Sequence, residues 1–308
     1  MIDRLAASRL RQSLNSRIRL EARRRGVTAD DIRQQYVFAL LTKRLFADET
    51  DAWLLLGGNA LLIRTRGGRF TRDVDLARAH GWTDVKELRE ELKSALSRPI
   101  DSDPFRFELL NVSPHSAPDA YDYGALTAKA DVRVLLGASE FSRFSIDITT
   151  RRHINGPVDR LTPAPIIQHE TIADLPPVPT VPVENHLADK ICAIYELHGE
   201  TRTASTRYRD LADIVRIIVN LDFDAARLSE VVDHESSRRR IPRPTALVSP
   251  SPGWERAYSI QAREFAEFPA ALYSLDASLK VAAACLDEVL NGSRRQGRWD
   301  HTSAQWRD

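Results

Sequence analysis

The stretch "LLLGGNALLIRTRGGRFTRDVDLAR", residues 54–78, constrains the fold more than any other part of the chain. An apolar run breaks at Gly57-Gly58, and the segment ends on Asp73 and Asp75, with arginines at 64, 66, 69, 72 and 78 around them. On a strand, residues two apart share a face with Cα atoms about 6.6 Å apart. Two carboxylates held that close repel unless a positive charge sits between them. One reading is a solvated loop whose aspartates cap the next helix. The other is a divalent-cation site, in which hard oxygen ligands leave positions open for substrate phosphates. A glycine pair opening a helix supplies what such a site also needs, backbone N–H groups that approach an anion closely. The spacing by itself leaves both readings open.

The flanking pattern alternates strands and helices, then becomes purely helical. Thr28 and Asp31 open a predicted helix over 28–46, with an apolar stripe through Ile32, Tyr36 and Leu40. Trp53–Leu56 reads as a buried strand, Asn59–Ile63 as a short helix and Arg72–Leu76 as a second strand. Residues 83–96 read as an amphipathic helix capped by Thr83, with Val85, Leu88, Leu92 and Leu96 on one face. Three runs, 105–112, 123–136 and 141–150, alternate apolar and polar residues as half-buried strands do. In the last, Asp147 falls with Ser145 and Thr149 on the side away from Phe144, Ile146 and Ile148. "DLPPVPTVPVE" (174–184) carries four prolines in eleven residues and is expected to be a stiff linker without regular structure. Helices are predicted over 184–198, 205–220, 224–236, 255–267 and 270–290, followed by a polar tail with no expected structure.

The expected class is therefore α/β (α+β) and bilobed, a mixed sheet with helices first and an α-helical lobe second. The expected domains are 1–173, a linker 174–183, a helical domain 184–292 and a tail 293–308. With 43% hydrophobic and 28% charged residues the chain has the profile of a soluble protein. It has no apolar run long enough to cross a membrane, and its N-terminal segment lacks the apolar core of a secretory signal. Cys192 and Cys285 are the two cysteines, each inside an apolar helical pattern, so two reduced thiols and a cytoplasmic location are expected. Net charge is +1, but residues 1–46 hold eleven Lys/Arg against four Asp/Glu, and clusters follow at 237–243 and 293–298. Such runs are most often solvated faces; they also suit phosphate contacts. The eight histidines form no zinc-site spacing, and His186 and His198 are expected at the surface or lining a cleft. No G-x-S-x-G or P-loop pattern occurs, which leaves hydrolase and P-loop readings without support.

"GGNALLIRTRGGRFTRDVDL" resembles the first motif of nucleotidyltransferase-fold toxins of the AbiEii/AbiGii type. Gly57, Gly58, Ala60, Leu61, Arg69, Thr71, Asp73, Val74, Asp75 and Leu76 match in order, and Asn59 stands where Thr or Ser is usual. A second stretch, "VENHLADKICAIYELHGETRTASTRYRDLADIVRII" (183–218), resembles the family's later signature at Lys190, Arg207, Arg209, Asp210, Leu211 and Asp213. Helical spacing independently sets Lys190 on the inward stripe of its helix, where lysine is rarely found without a partner. It sets Asp210 on one face with Ile214 and Ile217.

The resemblance implies transfer of a nucleoside monophosphate from an NTP, with Mg²⁺ or Mn²⁺ held by Asp73 and Asp75 and by Asp147 as third carboxylate. Gly57, Gly58, Asn59, Arg69, Arg207 and Arg209 would contact the nucleotide, Lys190 would brace its phosphates, and Asp210 would complete the catalytic set. It further implies a toxin paired with an antitoxin from a neighbouring gene, acting on the 3′ end of an RNA, tRNA above all, to block translation. The Arg-rich N-terminal helix and the 237–243 cluster would hold the RNA backbone. The alternatives are modification of a protein hydroxyl and a non-catalytic nucleotide- or nucleic-acid-binding regulator. Thr71, two residues before Asp73, would on a continuous strand share the carboxylates' face, so a phosphate there would add about two negative charges and disable the site.

Overall fold

The alternating runs become one seven-stranded mixed sheet in the computed structural model, which describes residues 3–48, 52–67, 70–82, 84–114, 126–150, 154, 156–265 and 268–308. The chain divides into two compact units. The first holds residues 1–66, 70–152 and 159–180, and the second holds 67–69, 153–158 and 181–308.

The first unit opens with α1 (Arg4–Arg25), capped by the Asp3 carboxylate and closed by Gly26 in the left-handed region. α2 (Ala29–Leu45) follows, and Thr28 and Asp31 form a reciprocal capping box at its start. β1 (Trp53–Leu55) leads into α3 (Gly57–Thr65), then β2 (Asp73–Arg78) and α4 (Val85–Leu96). β3 (Phe105–Pro114), β4 (Thr127–Leu136) and β5 (Ser139–Thr150) form an antiparallel meander, and β6 (Asp159–Leu161) and β7 (Val178–Thr180) complete the sheet. The strand order is β3-β4-β5-β2-β1-β7-β6, with β2 parallel to β5 and β1 parallel to β7. One face carries Val74, Leu76, Val132, Phe144, Ile146 and Ile148, all buried in a core with Leu14 and Ile18 of α1, Tyr36 and Leu40 of α2, and Leu88 and Leu92 of α4. The opposite face of β2, β5 and β4 is left to polar side chains.

Three expectations change here. The glycine pair does not precede α3 but forms its first turn, with Leu56 as N-cap. Asp84, not a threonine, caps α4 with a bond to the Lys86 N–H; Thr83 lies outside the described residues, as does the start of the strand expected from 123. The proline-rich stretch is not wholly irregular. Val178–Thr180 is a buried strand in which Pro179 stands opposite Arg160, a position in a three-residue strand that tolerates the missing N–H.

The second unit consists of α5 (Val183–Ile194), the short hairpin β8 (Leu197–His198) and β9 (Thr203–Ala204), α6 (Tyr208–Asn220), β10 (Phe223–Asp224), α7 (Ala225–Arg238), α8 (Trp254–Ala262) and α9 (Leu275–Leu290). α5 packs on α6 and α7, and α6 on α8 and α9. The tail expected without structure instead folds back as β11 (Arg298–Asp300) and β12 (Gln305–Arg307), paired on β10. Two tryptophans anchor it. Trp299 stacks on Phe223 and donates its indole N–H to the Ile218 carbonyl at 2.8 Å; Trp306 donates to the Cys285 carbonyl at 2.9 Å. Both acceptors belong to helices α6 and α9, so the hairpin closes the helical unit. Among the described residues, no helix is long and apolar enough to cross a membrane.

Trp299→Ala removes a buried ring and strands a carbonyl. It is expected to lower the unfolding free energy by about 3–5 kcal/mol, read as a shifted urea midpoint; a change below about 1 kcal/mol would show the hairpin to be an ornament.

Candidate functional site

The first unit gathers one set of predicted residues around the start of α3. Gly57 has φ +61°, and a Cβ there would overlap the Asp75 carboxylate, so only glycine admits both the turn and the approach. The helix start carries no side-chain cap. Its first N–H groups have no intrahelical partner, and they bear the positive end of the helix dipole. Leu56 N–H donates to the Asp75 carbonyl at 2.9 Å, which fixes the turn to β2.

Asn59 is buried and points inward. Its Nδ2 donates to the Asp73 carbonyl at 2.9 Å and its Oδ1 accepts from Gln35 at 3.4 Å, so its amide holds the beginning of β2 instead of presenting a donor outward. Thr71 precedes β2, and its hydroxyl donates to the Asp73 carbonyl at 2.9 Å, beside the carboxylates but tied to main chain. Arg69 lies outside the described residues.

Parallel pairing of β2 with β5 sets Asp75 directly beside Asp147 and Asp73 beside Ser145. All three carboxylates therefore lie on the polar sheet face, Asp73 exposed, Asp75 and Asp147 half-buried. Sequence reasoning missed their neighbours on β4. Lys129 stands opposite Asp147 with its ammonium 3.8 Å from Asp147 Oδ1, and Asp131 accepts the Ser145 hydroxyl at 2.9 Å. Alternation in 127–136 carries the signal for both, since positions 129 and 131 share the polar face. Hard-oxygen carboxylates on adjoining positions, beside a cradle that a Cβ would fill, have the donor chemistry of a divalent-cation site with a bound polyphosphate, but their oxygens are not drawn together as those of a loaded site are.

The second unit holds the other predicted set. Lys190 on α5 is buried, and its ammonium donates to Asp210 at 2.8 Å and to Asp213 at 2.7 Å, both on α6. Burial by itself disfavours the ammonium, but the two carboxylates outweigh it and hold Lys190 above its usual range. Burial likewise works against the Asp210 carboxylate, and the Lys190 ammonium with Arg207 holds it below the ordinary range. Arg207 Nη1 lies 3.3 Å from Asp210, and Arg209 turns to Glu264 at 2.9 Å. Asp213 is the functional partner the sequence reading matched but left without a role.

Two other expectations are corrected. His186 is buried rather than at the surface, whereas His198 is about half exposed. Most of the 237–243 cluster is not a basic surface, and of its four arginines only Arg240 is exposed. Arg238 and Arg239 are buried in ion pairs with Glu235, Asp189 and Glu196, and Arg243 binds the Val289 and Leu290 carbonyls that end α9. Among the described residues, one group of three metal-capable side chains converges, Asp222, Asp300 and His301. These are hairpin contacts: Asp222 meets His301 at 2.6 Å, while Asp300 accepts from Ser303 and pairs with Arg307.

Lys190→Met is expected to leave the buried Asp213 carboxylate uncompensated and Asp210 with Arg207 alone, and to cost about 3–5 kcal/mol at pH 7. Because Asp210 is depressed in the folded state, its contribution is present above the unfolded value of about 3.9 and fades as pH falls through the folded one. The gap between wild type and Lys190→Met in urea titrations should therefore shrink below about pH 4. A gap independent of pH would overturn the assignment.

Comparison with known proteins identifies the family and the fold. The family model for the nucleotidyl transferase AbiEii toxin of type IV toxin–antitoxin systems matches residues 39–284. The fold is similar to that of MenT4, a nucleotidyltransferase toxin from Mycobacterium tuberculosis H37Rv, with TM-score 0.58, 18% identity and 89% of each chain covered. JHP933 from Helicobacter pylori aligns with TM-score 0.46 and 17% identity over 86% of this chain and 95% of its own. Comparison with curated protein sequences finds no match.

Proposed function

The chain belongs to the AbiEii nucleotidyltransferase toxin family, and from that premise we propose that it moves a nucleoside monophosphate from an NTP to the 3′ hydroxyl of an RNA, with tRNA as the acceptor. Membership makes it a nucleotidyltransferase and one half of a toxin–antitoxin pair; the acceptor, the metal and the block of translation are the proposal. The observation that carries the reading is the uncapped start of α3 set against Asp75, with Asp73 and Asp147 on the same face.

Asp73, Asp75 and Asp147 would hold Mg²⁺, which when bound neutralises phosphate charge and polarises the reacting oxygens. The backbone N–H groups at Gly57 and Gly58 would bind the leaving phosphates. The acceptor oxygen forms a bond to the α-phosphorus as the bond to the β-phosphate oxygen breaks, and pyrophosphate departs with its electron pair. Asp147 would take the hydroxyl proton. Lys190 and Asp210 enter as members of the family signature, and their ion pair ties α5 to α6 within the second unit. For the RNA backbone, the exposed Arg4, Arg9 and Arg19 of α1 remain available, since Arg11, Arg17 and Arg23 bind main-chain carbonyls.

The test incubates the purified protein with each labelled NTP, Mg²⁺ and total tRNA. Asp73→Ala and Gly57→Ala should each reduce transfer by roughly a hundredfold or more, as for the loss of one group that stabilises transition-state charge, with circular dichroism unchanged. No transfer by wild type, or equal transfer by Asp73→Ala, would sink the reading; label on protein in place of RNA would select the protein-hydroxyl alternative.

Regulation would act at Thr71. A phosphate on that hydroxyl would set about two negative charges beside Asp73. Mass spectrometry after co-expression with the neighbouring antitoxin gene should find Thr71 phosphorylated in the silenced toxin; silenced toxin with an unmodified Thr71 removes the idea.

A further inference from the structure

Resting on the nucleotidyltransferase reading of the same site, we infer that Lys129 forms an acceptor subsite, binding a backbone phosphate of the RNA whose 3′ hydroxyl is extended. The observation is a row of side chains crossing the polar sheet face in register: Asp75 on β2, Asp147 on β5, Lys129 on β4 and Ser113 on β3. Gly57 adjoins this row at its Asp75 end, where β1 runs into α3. Lys129 is two strand spacings from Asp75 on the other side, about 10 Å between Cα atoms. The row therefore has an anion-binding helix start at one end, carboxylates in the middle and a cation followed by a hydroxyl at the other.

Phosphoryl transfer proceeds in line, so the attacking oxygen and the leaving pyrophosphate lie on opposite sides of the phosphorus. With the leaving phosphates at Gly57, the attacking hydroxyl enters from the β4 side, and the acceptor's own phosphodiester follows it past Asp147. Lys129 is the cation that stands there. Its side chain is 45% exposed, and among the described residues its one ionic contact is Asp147 at 3.8 Å, longer than a hydrogen bond. A half-exposed pair at that separation adds little to stability, so Lys129 exchanges this partner for another anion at little cost. Its neighbours do not compete for it: Asp131 takes the Ser145 hydroxyl, and Arg133 is bound to Glu108 through two nitrogens.

The experiment titrates total tRNA onto wild type, Lys129→Ala and Lys129→Arg by fluorescence anisotropy across a salt series, without NTP or divalent metal, and pairs this with steady-state kinetics. For Lys129→Ala the log–log salt slope should fall by about 0.7, the value of one single-strand phosphate contact. The KM for tRNA should rise about tenfold while the KM for NTP stays unchanged. Lys129→Arg should keep the wild-type slope. If Lys129→Ala loses only kcat, with slope and tRNA KM unmoved, the lysine merely holds Asp147 and the proposal is overturned. If wild type labels no RNA, the functional reading fails by itself, and the salt slope still decides whether Lys129 meets an RNA phosphate.

Discussion

The contact between Gly57 and the Asp75 carboxylate is the constraint on which the first unit turns. Leu56 donates to the Asp75 carbonyl, Gly57 takes a positive φ, and the carboxylate occupies the space a side chain would need. A helix start that no side chain caps thereby comes to lie against a carboxylate that, alone, it would attract and neutralise. The two features form one device. The helix dipole offsets part of the cost of holding the Asp75 carboxylate beside its neighbours on the same face. Asn59 completes the device from within by holding the Asp73 carbonyl.

The second unit depends on charge in a different way. Asp189 and Lys190 are consecutive on α5 and so point about 100° apart. Lys190 reaches α6 through Asp210 and Asp213, and Asp189 reaches the end of α7 through Arg239. One helix is thus clamped to two neighbours by ion pairs of opposite sense, the Lys190 set buried and the Asp189 pair half-buried. Removing one partner from such a set costs far more than the set contributes as a whole, because an uncompensated charge stays behind. That asymmetry makes the helix pose narrow.

Much of this was legible from spacing. Capping marked α2, periodicity marked α2 and α4, and alternation marked β3 to β5, because periodic patterns report burial of one face directly. The in-register meeting of Asp75 with Asp147 was not legible, since β2 and β5 are parallel neighbours separated by more than sixty residues. The glycine pair announced a break without announcing the collision that forbids a side chain. Arginine runs misled most. A run displays its charge but not its partners, and Arg239 meets Asp189 fifty residues away. The tail misled for a related reason: two tryptophans among polar residues make no period, yet their N–H groups find carbonyls of α6 and α9.

Core and site share one determinant, the strand register. Val74 and Leu76 are buried between the same residues that present Asp73 and Asp75, and Ile146 and Ile148 flank Asp147 in the same manner. A slip of one residue in β2 would drive both carboxylates into the apolar layer and expose two aliphatic side chains. Burying unpaired carboxylates is far more costly than any gain from altered pairing, so such a slip is excluded energetically. The same hydrophobic burial that stabilises the sheet therefore sets the separation of Asp73, Asp75, Asp147 and Lys129. Substitutions in the apolar layer should reach the site through register and spacing well before they unfold the sheet, whereas exchanges on the polar face alter its charge and leave its geometry in place.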